Sequence, residues 1–451
     1  MSSNDRDNFA PMDKPLPPGG SGIPLIGETL SLISDAYAFF DERFRKYGPV
    51  FRTYAFGKPM VCFVGPEGYD FFTGSGNFTR AGGPPPHWGA LLGEDALPFI
   101  EGDAHVKRRR LLRQAFTPEA LAGYLPLVQR VIERYVDKWE KQGRFPWVNE
   151  LGAMCFDIGN ALYLGGDPDA SNPALAAKFD QLVAGMLALP VNLPFTAYGR
   201  GLSARDELRA YVGKAVAEYQ PTPDATHVLA RVLAARDEQG KPLPTRELEM
   251  ESMHFFVASV AVLKGTLCYA AIALAENPEL MKRARAEVAE VSPSGALTFA
   301  SFCKLRFLFS LMREVRRFYK IVPSTNMGEV ARDCEFGGFR LPKGWKAMAV
   351  NTSTHHEART FADPEKLAPE RFEKADQNPR SCPVGYVAHG AGTWDGHRCL
   401  GEEFADMVLV AFAALALRGH TWTIPPQDLS LKLGGLVPEP AGGLLVELTR
   451  A

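Results

Sequence analysis

Cys399 is the residue with the clearest potential for chemistry, because it lies in the segment GHRCLG at 396–401. His397 and Arg398 place positive charge beside its sulfur, and a helix is predicted to begin just after it. A thiol near cations at a helix N-terminus has a lowered pKa, and the thiolate is the form that binds metals. Glycines before the cysteine let the backbone lie close to a flat macrocycle, and Gly401 has no side chain to collide with it. The segment therefore predicts a thiolate ligand to a metal held in such a ring.

Three further features occur in order around this segment. Glu314 and Arg317 are three residues apart on a predicted helix, so they share a face and can pair. Arg371 follows in a coil rich in proline and glycine, and Gly-Ala-Gly at 390–392 precedes the cysteine. Each feature alone is weak, since surface ion pairs and glycine turns are common. Their order together favours a ligand over the alternative for Cys399, a free core cysteine in a turn.

The rest of the sequence is mainly helical, with a small strand-rich portion. A basic helix is predicted over His105–Ala115, and Pro118 begins the next helix with Thr117 as its N-cap. Short strands joined by glycine turns are predicted over 333–349, and a final amphipathic helix over 400–417. The predicted fold class is mainly α with a small β portion, folded as one continuous unit.

Other stretches bear on where the site lies. Phe255–Ala275 approaches the length of a membrane span, but Lys264 lies at its middle. We interpret it as a buried central helix, since a helix apolar on all sides is typical of that position. The proline-rich stretch 84–88 is predicted to be a loop that cannot be helical. The stretches 50–56 and 60–64 predict two short strands joined by a turn.

Composition excludes several classes of protein. The formal net charge of −2 gives no basic footprint for nucleic acid. The seven cysteines are scattered and form no C-x-x-C pair, which disfavours a disulfide framework or a zinc site and fits a reducing compartment. The N-terminal segment is polar and lacks the apolar core of a signal peptide. We therefore expect a cytoplasmic protein without a transmembrane anchor, with a flexible polar and Pro-rich tail over 1–18 and a single domain over 19–451.

On these motifs the sequence resembles the cytochrome P450 family along nearly its whole length. The segment 396–401 matches the family's ligand loop, which implies that Cys399 is the axial ligand of the iron of haem b. Glu314 and Arg317 match the family's helix pair and Arg371 its coil partner, which implies a buried structural ion network. The resemblance also implies the cytochrome P450 fold, with haem buried between a long central helix and the cysteine-ligand loop.

The resemblance further implies which residues bind the cofactor. His105 and Arg109, four apart on the basic helix, match positions that usually reach the haem propionates, although a solvated basic face is the alternative. His397, Gly392 and Gly401 belong to the ligand loop and are expected to contact the haem.

Within the family, the motifs are most similar to those of bacterial fatty-acid peroxygenases. The segment REVRRFY at 313–319 and the extended loop at 390–402, which ends in HRCLGE, carry this likeness. The usual P450 loop has Phe seven residues before the cysteine, where this chain has Gly392.

The central helix departs from the pattern of oxygen-activating P450s, which carry an acid–alcohol pair beside the iron. A count back from Asn-Pro at 277–278 places Ala261 and Val262 there. Neither side chain can donate or relay a proton. We therefore expect a dry and apolar distal side.

The central helix also departs from the peroxygenase pattern, in which an arginine binds the substrate carboxylate. That place falls within 257–259, where Ala258 and Ser259 are expected to line the substrate side together with Ala261 and Val262. The fatty-acid substrate of that group is therefore not carried over to this chain.

A third departure concerns an arginine with which many P450s contact a haem propionate. In that neighbourhood this chain has Gly328 and Glu329. Either another cation contacts the propionate, or this segment aligns with the family in a different register.

The leading hypothesis is a haem-thiolate oxidoreductase that oxidises or rearranges a hydrophobic small molecule with peroxide or a substrate hydroperoxide. The alternative is a monooxygenase that uses dioxygen and electrons from a separate ferredoxin or flavoprotein reductase, for which the basic run KRRR at 107–110 offers a docking patch. A non-catalytic haem-binding sensor or carrier is a second alternative.

The apolar loop at 186–195 predicts a hydrophobic pocket or a hydrophobic entrance to it. The alternative for this loop is ordinary core packing.

Overall fold

Helices form most of the protein in this computed structural model, which describes residues 14–450 apart from 25, 81, 221, 223–224, 294, 296, 325, 375–383 and 434–435. In chain order the helices are α1 (Thr29–Ser34), α2 (Ala36–Tyr47), α3 (Pro66–Gly74), α4 (Pro86–Leu92), α5 (Gly102–Arg113), α6 (Pro118–Gln142), α7 (Trp147–Leu164), α8 (Pro173–Leu187), α9 (Ala197–Glu218), α10 (Val228–Ala234), α11 (Thr245–Glu276), α12 (Pro278–Val291), α13 (Phe299–Phe302), α14 (Arg306–Phe318), α15 (Asn351–His355), α16 (Glu370–Glu373) and α17 (Glu402–Leu417).

The strands of the described residues are short. They are β1 (Val50–Ala55), β2 (Lys58–Phe63), β3 (Phe78–Thr79), β4 (Arg144–Pro146), β5 (Asn326–Val330), β6 (Cys334–Phe336), β7 (Phe339–Leu341), β8 (Lys346–Ala349), β9 (His420–Thr423), β10 (Leu431–Lys432), β11 (Glu439–Pro440) and β12 (Leu445–Arg450). The largest sheet has the order β1-β2-β8-β5-β3, in which β2 and β8 are parallel. A second sheet has the order β4-β12-β9, and β6-β7 and β10-β11 are two-stranded. The expected fold class, mainly α with a small β portion, is confirmed.

The central helix α11 contains the apolar segment that was expected in the core. It begins after Pro244 and ends at Glu276, and α12 begins two residues later at Pro278. Length and composition alone would let it cross a membrane, but 67% of its most apolar window is buried inside the protein. It packs against α7, α9, α14 and α17. The interpretation as a buried central helix is therefore confirmed.

Two helix starts test the predictions made from proline positions. Thr117 caps α6, because its side-chain oxygen accepts a hydrogen bond from the N–H of Ala120 at 3.2 Å. The loop predicted over 84–88 is wrong from Pro86 onward, where α4 begins. Proline is tolerated at the first helical position because its missing N–H has no helical partner there.

The predicted tail at 1–18 lies mainly outside the described residues, but its described end is attached to β1. The carbonyl oxygens of Pro17 and Pro18 accept hydrogen bonds from the side chain and backbone of Arg52 at 3.0 and 2.8 Å. Residues 17 and 18 therefore belong to the folded body, whereas the single domain over 19–451 stays a prediction.

The first of two buried ionic clusters on α14 brings together the predicted ion network. Glu314 and Arg317 are fully buried, and the guanidinium of Arg317 donates to both carboxylate oxygens at 2.7 and 2.8 Å. The Nε of Arg371 lies 3.5 Å from Glu314. Arg317 also donates to the carbonyl oxygens of His355 and Pro364, each at 2.9 Å. The cluster therefore ties α14 to the coil that precedes α17.

The second cluster, which the sequence analysis missed, joins α14 to α17. Arg316 donates to a carboxylate oxygen of Asp406, and a nitrogen of Arg313 lies 3.7 Å from the other oxygen. Arg316 also donates to Nε2 of His389. Burial, followed by the charge of Arg316, lowers the pKa of His389 to about 3, so the ring is neutral and accepts this hydrogen bond. The partners of Arg316 are 73 and 90 residues away in the chain, so no local pattern pointed to them.

We expect Glu314→Ala to destabilise the protein strongly, because it leaves the buried charge of Arg317 without its carboxylate. The expected cost is roughly 3–5 kcal/mol, measured as the free energy of unfolding in urea. The control is Glu370→Ala, since Glu370 is exposed and lies 3.9 Å from Arg283. An exposed pair of that kind contributes less than about 1 kcal/mol. Equal losses in the two variants would contradict the role given to Glu314.

Asp406→Asn is expected to destabilise the protein by a similar amount, roughly 3–5 kcal/mol, because it removes the negative charge between two buried guanidinium groups. The matched control is Asp395→Asn, which removes the same charge from exposed pairs with Arg110 and Arg113. Urea denaturation of both variants checks the expectation. If the midpoint of Asp406→Asn stays within the scatter of the control, the second cluster does not stabilise the fold.

Candidate functional site

Cys399 lies at the end of a coil that leads directly into α17. Its N–H donates to the carbonyl oxygen of His389 at 2.9 Å. Gly401 is the N-cap residue of α17, and its N–H donates to the cysteine sulfur. Because Arg316 holds the ring of His389, the second buried cluster also fixes the backbone that carries the cysteine.

The cysteine lines a cavity of about 300 Å³ whose walls have two different characters. One part carries cations and imidazoles, from Arg80, His105, Arg109 and His397. The other part is apolar and comes chiefly from α11 and α17 and the segments before α5 and α6, with the side chains of Leu97, Phe116, Phe255, Val262, Leu263 and Phe404. The fold therefore places the predicted thiolate ligand, most of the predicted cofactor-binding residues and the central helix around one space.

His105 and His397 form the imidazole part of this wall. Their ring centroids are 4.0 Å apart. Burial, followed by the charges of neighbouring arginines, lowers the pKa of His105 to about 4 and that of His397 to about 2, so both rings are neutral. The Nε2 of His105 is buried and has no hydrogen-bond partner among the described residues. A buried polar atom of this kind fits the polar group of a ligand.

Arg109 supports the ligand loop as well as lining the cavity. Its Nε donates to the carbonyl oxygen of Trp394, and its Nη2 donates to that of Arg398 at 2.5 Å. The alternative reading of α5 as a solvated basic face does not apply to His105 or Arg109, which are buried.

Arg80 is a cation of the cavity that the sequence analysis missed. It directly follows β3, in which Thr79 pairs with Glu329 of β5. Arg80 therefore brings a guanidinium to the cavity from the strand that neighbours Gly328 and Glu329. Burial lowers the pKa of Arg80 to about 10 and Glu101 opposes this, so the guanidinium is charged at neutral pH. No local motif indicated Arg80, because only the pairing of two distant strands brings it to this place.

The acidity of the Cys399 thiol differs from the expectation. Burial raises its pKa to about 11, and Glu402 acts in the same direction. The N–H of Gly401 and the charges of Arg109 and Arg316 oppose this rise. The expected lowering is therefore wrong for the protein by itself, because loss of water around the thiolate outweighs the nearby cations. Cys399 would lose this proton on binding a metal ion, whose charge stabilises the thiolate.

The central helix presents one face to the cavity. Ala258, Ser259 and Val262 line it, as predicted. Ala261 is not among the lining residues of the cavity, which on this helix are 254, 255, 258, 259, 262 and 263. Its expected place beside the substrate stays a prediction. At the place of the expected alcohol, Val262 offers only methyl groups to the cavity.

The lysine of this helix is held away from the cavity. The Nζ of Lys264 lies 2.5 Å from a carboxylate oxygen of Glu439 in β11. Among the described residues of α11 that line the cavity, there is no arginine or lysine. The helix therefore offers no cation of that type to a substrate carboxylate.

A polar residue of α11 that the sequence analysis missed is His254, which lines the cavity. Its Nδ1 lies 3.1 Å from a carboxylate oxygen of Glu251, which is completely buried. A histidine and a glutamate three residues apart are common on helices, so spacing alone did not single them out.

The two glycines expected at the cofactor differ in their surroundings. Gly401 lines the cavity, and a Cβ atom added there would meet no other atom within 4 Å. Gly392 is not among the lining residues of the cavity. It adopts a φ of +95°, and an added Cβ would lie 3.1 Å from Cβ of Thr73. Gly392 therefore serves the turn of the loop, and its contact with the cofactor stays a prediction.

These residues fit haem b. The open space beside Gly401 suits a flat macrocycle, and the sulfur of Cys399 is available to its iron. The guanidinium groups of Arg80 and Arg109 and the buried Nε2 of His105 suit its propionates.

The basic run at 107–110 is largely neutralised by acids of the same chain. Lys107 lies 2.9 Å from Asp237, and Arg110 lies 3.1 Å from Glu238. The run therefore presents less charge to an acidic partner than the sequence indicated.

The apolar loop between α8 and α9 does not line the cavity. Leu189 and Phe195 are 67% and 74% exposed, whereas Met186 is buried and its carbonyl oxygen accepts a hydrogen bond from Trp88 at 2.7 Å. The exposed part of the loop is therefore not core, and its role as an entrance stays a prediction.

Comparison with known proteins agrees with this site. The family model for cytochrome P450 matches residues 17–444. Cytochrome P450 120 of Synechocystis sp. is 32% identical over 438 residues, which cover 96% of this chain and 97% of that protein. Abscisic acid 8'-hydroxylase 1 of Arabidopsis thaliana is 26% identical over 447 residues, which cover 98% of this chain and 93% of that protein.

Solved structures share the fold. Retinoic acid-bound cyanobacterial CYP120A1 has a TM-score of 0.87 and 31% identity, and the match covers 97% of this chain and 100% of that one. A variant of cytochrome P450 OleT in complex with arachidonic acid, from the peroxygenase group that the motifs resemble, has a TM-score of 0.80 at 22% identity, covering 95% and 97% of the two chains. At that identity the likeness to OleT shows the fold alone. Because the family model and a relative above 30% identity both span nearly the whole chain, the protein belongs to the cytochrome P450 family of haem-thiolate oxidoreductases, whose cofactor is haem b.

Proposed function

We propose that this P450 is a monooxygenase that hydroxylates an apolar small molecule, with dioxygen as the oxidant and electrons from a separate redox protein. The observation that carries the proposal is the apolar face of α11, which lines the same cavity as Cys399. Relatives that span nearly the whole chain support the reaction class, since one of them is named a hydroxylase of abscisic acid.

Haem held by a thiolate supplies the oxygen chemistry, because the thiolate favours cleavage of the O–O bond. The residues of this chain hold the cofactor and shape the space for the substrate. Arg80, His105 and Arg109 would bind the propionates, and Cys399 would bind the iron. Phe255, Val262 and other apolar side chains of the lining favour an apolar substrate by the hydrophobic effect.

Turnover driven by peroxide or a hydroperoxide is the second candidate, and Val262 is the observation that favours it. A side chain without a hydroxyl cannot take part in the proton delivery that dioxygen requires. Peroxide already carries the electrons, so this route needs no redox partner, and a substrate group or water would transfer the proton that cleavage of the O–O bond requires. Water inside the cavity would have to deliver protons if dioxygen is the oxidant.

We expect Cys399→Ala to abolish the red-shifted Soret band that a thiolate ligand gives to the reduced carbon monoxide complex. The physical reason is that no other described residue offers a thiolate to this cavity. The control is Cys303→Ala, since Cys303 is half-buried and does not line the cavity. Retention of the red-shifted band in Cys399→Ala would refute the assignment of the ligand.

Val262→Thr is expected to raise the fraction of NADPH electrons that appear in product by several-fold, because it adds a hydroxyl at the place of the missing alcohol. The measurement is product formed per NADPH consumed, with surrogate redox proteins and a library of lipids and terpenoids. Val260→Thr is the matched control, since it makes the same change on the same helix at a residue outside the lining.

The wild-type protein is tested with the same library in two arms, one with NADPH and redox proteins and one with hydrogen peroxide. Product in the NADPH arm supports the monooxygenase. Product in the peroxide arm only, with no gain from Val262→Thr, would establish the second candidate instead. Haem-loaded protein that forms no product in either arm would point to a sensor or carrier.

A further inference from the structure

We propose that His254 determines substrate specificity by accepting a hydrogen bond from a hydroxyl group of an otherwise apolar substrate. The inference rests on the proposed function in one respect, namely that the cavity beside Cys399 is where an apolar small molecule binds. It adds the chemical class of that molecule, an apolar alcohol.

His254 lies on the face of α11 that lines the cavity. It precedes Ala258 by four residues and Val262 by eight, so the three share one side of the helix. Its ring is oriented by a hydrogen bond between Nδ1 and an oxygen of Glu251 at 3.1 Å. The remaining ring nitrogen, Nε2, is therefore the polar atom that His254 offers to the cavity.

The surroundings of Glu251 define the tautomer of His254. One oxygen of Glu251 accepts a hydrogen bond from the N–H of Leu97 at 2.9 Å and lies 3.3 Å from a guanidinium nitrogen of Arg108. The oxygens of a carboxylate accept hydrogen bonds, so the second oxygen of Glu251 accepts from Nδ1 of His254. Nδ1 of His254 must then carry a proton, and in the neutral ring Nε2 presents its lone pair. The atom facing the cavity is therefore an acceptor, which requires a donor on the substrate.

The charges behind His254 disfavour an anionic substrate. Arg108 is shared between two carboxylates, since it also lies 2.9 Å from Glu247. One guanidinium and two carboxylates leave this cluster with a net charge of −1. A substrate carboxylate near His254 would meet that charge across a cavity that is largely apolar, whereas a hydroxyl brings a donor without charge.

The other polar side chain on this face of α11 is already engaged. Ser259 donates its hydroxyl proton to the carbonyl oxygen of Phe255 at 2.7 Å, and its oxygen is hydrogen-bonded to Tyr163. Among the described residues of α11 that line the cavity, His254 is therefore the one whose side chain can offer a hydrogen-bonding atom to a substrate. A buried acceptor that finds no donor costs free energy, so an alcohol is preferred over an ether of the same shape.

The test measures binding and does not depend on turnover. The haem-loaded protein is titrated by calorimetry with a panel of linear and isoprenoid chains, each as the alcohol, its methyl ether and the matching carboxylate. We expect at least one alcohol of the panel to bind about fivefold more tightly than its ether, the ratio that one net hydrogen bond gives. We expect its carboxylate to bind more weakly than the alcohol.

Two variants assign the preference to His254. H254L is expected to bring the alcohol-to-ether ratio to about one, while S259A leaves the ratio unchanged. In E251Q the side-chain amide can donate to Nδ1, which moves the ring proton to Nε2 and turns that atom into a donor. E251Q is therefore expected to lose the preference for the alcohol over the ether while keeping His254 in place, a result that a merely structural role for His254 would not give.

Three results would overturn the proposal. The first is that no alcohol of the panel binds more tightly than its ether in the wild-type protein. The second is an alcohol-to-ether affinity ratio that is unchanged in H254L, and the third is a carboxylate that binds most tightly of all and loses its affinity in H254L. The first needs no variant, so it applies even if H254L fails to bind haem. Failure of the proposed function is distinguishable from these. Selective binding of alcohols through His254, with no product from NADPH and redox proteins, would refute the monooxygenase and leave the binding site.

Discussion

Arg313, Arg316 and Arg317 carry three guanidinium charges into the interior on one helix, α14. A buried charge is tolerated only when it is paired and its hydrogen bonds are satisfied. Glu314 and the carbonyl oxygens of the coil satisfy Arg317, while Asp406 of α17 neutralises Arg316 and faces Arg313. The requirement to neutralise these charges therefore fixes α14 against both the coil before Cys399 and the helix after it.

The same buried charges also fix the position of the loop that carries Cys399. Arg316 holds the ring of His389, and the carbonyl oxygen of His389 accepts the N–H of Cys399. On the opposite side, Arg109 of α5 donates to carbonyl oxygens within the same loop. A thiol in a coil would otherwise have many conformations, and these contacts at its two sides restrict it to the wall of one cavity. The stability of the core and the placement of Cys399 are therefore parts of one network.

The side of the cavity formed by α11 is different, because it has few polar groups and each of them is held by a neighbouring group. Val262 and Ala258 present only hydrocarbon, Lys264 is bound to Glu439, and the hydroxyl of Ser259 bonds to its own helix. His254 is the exception, and a completely buried carboxylate orients it. A cavity of this kind binds through apolar area and selects through a single directional contact.

The sequence by itself determined the features that depend on local pattern: the helical class, the buried central helix, the cap at Thr117, and Cys399 in its glycine-rich segment. It also placed Glu314, Arg317 and Arg371 together, though through a family resemblance, since such pairs are common on surfaces. Only the tertiary structure decided that Arg80 reaches the cavity, that Asp406 and His389 hold Arg316, and that His254 lines the cavity. The physical reason is that these contacts join residues far apart in the chain, or depend on how a helix is rotated against its neighbours. For the same reason the pKa of Cys399 was misjudged, because the degree of burial is a property of the whole fold and here outweighs the nearby cations.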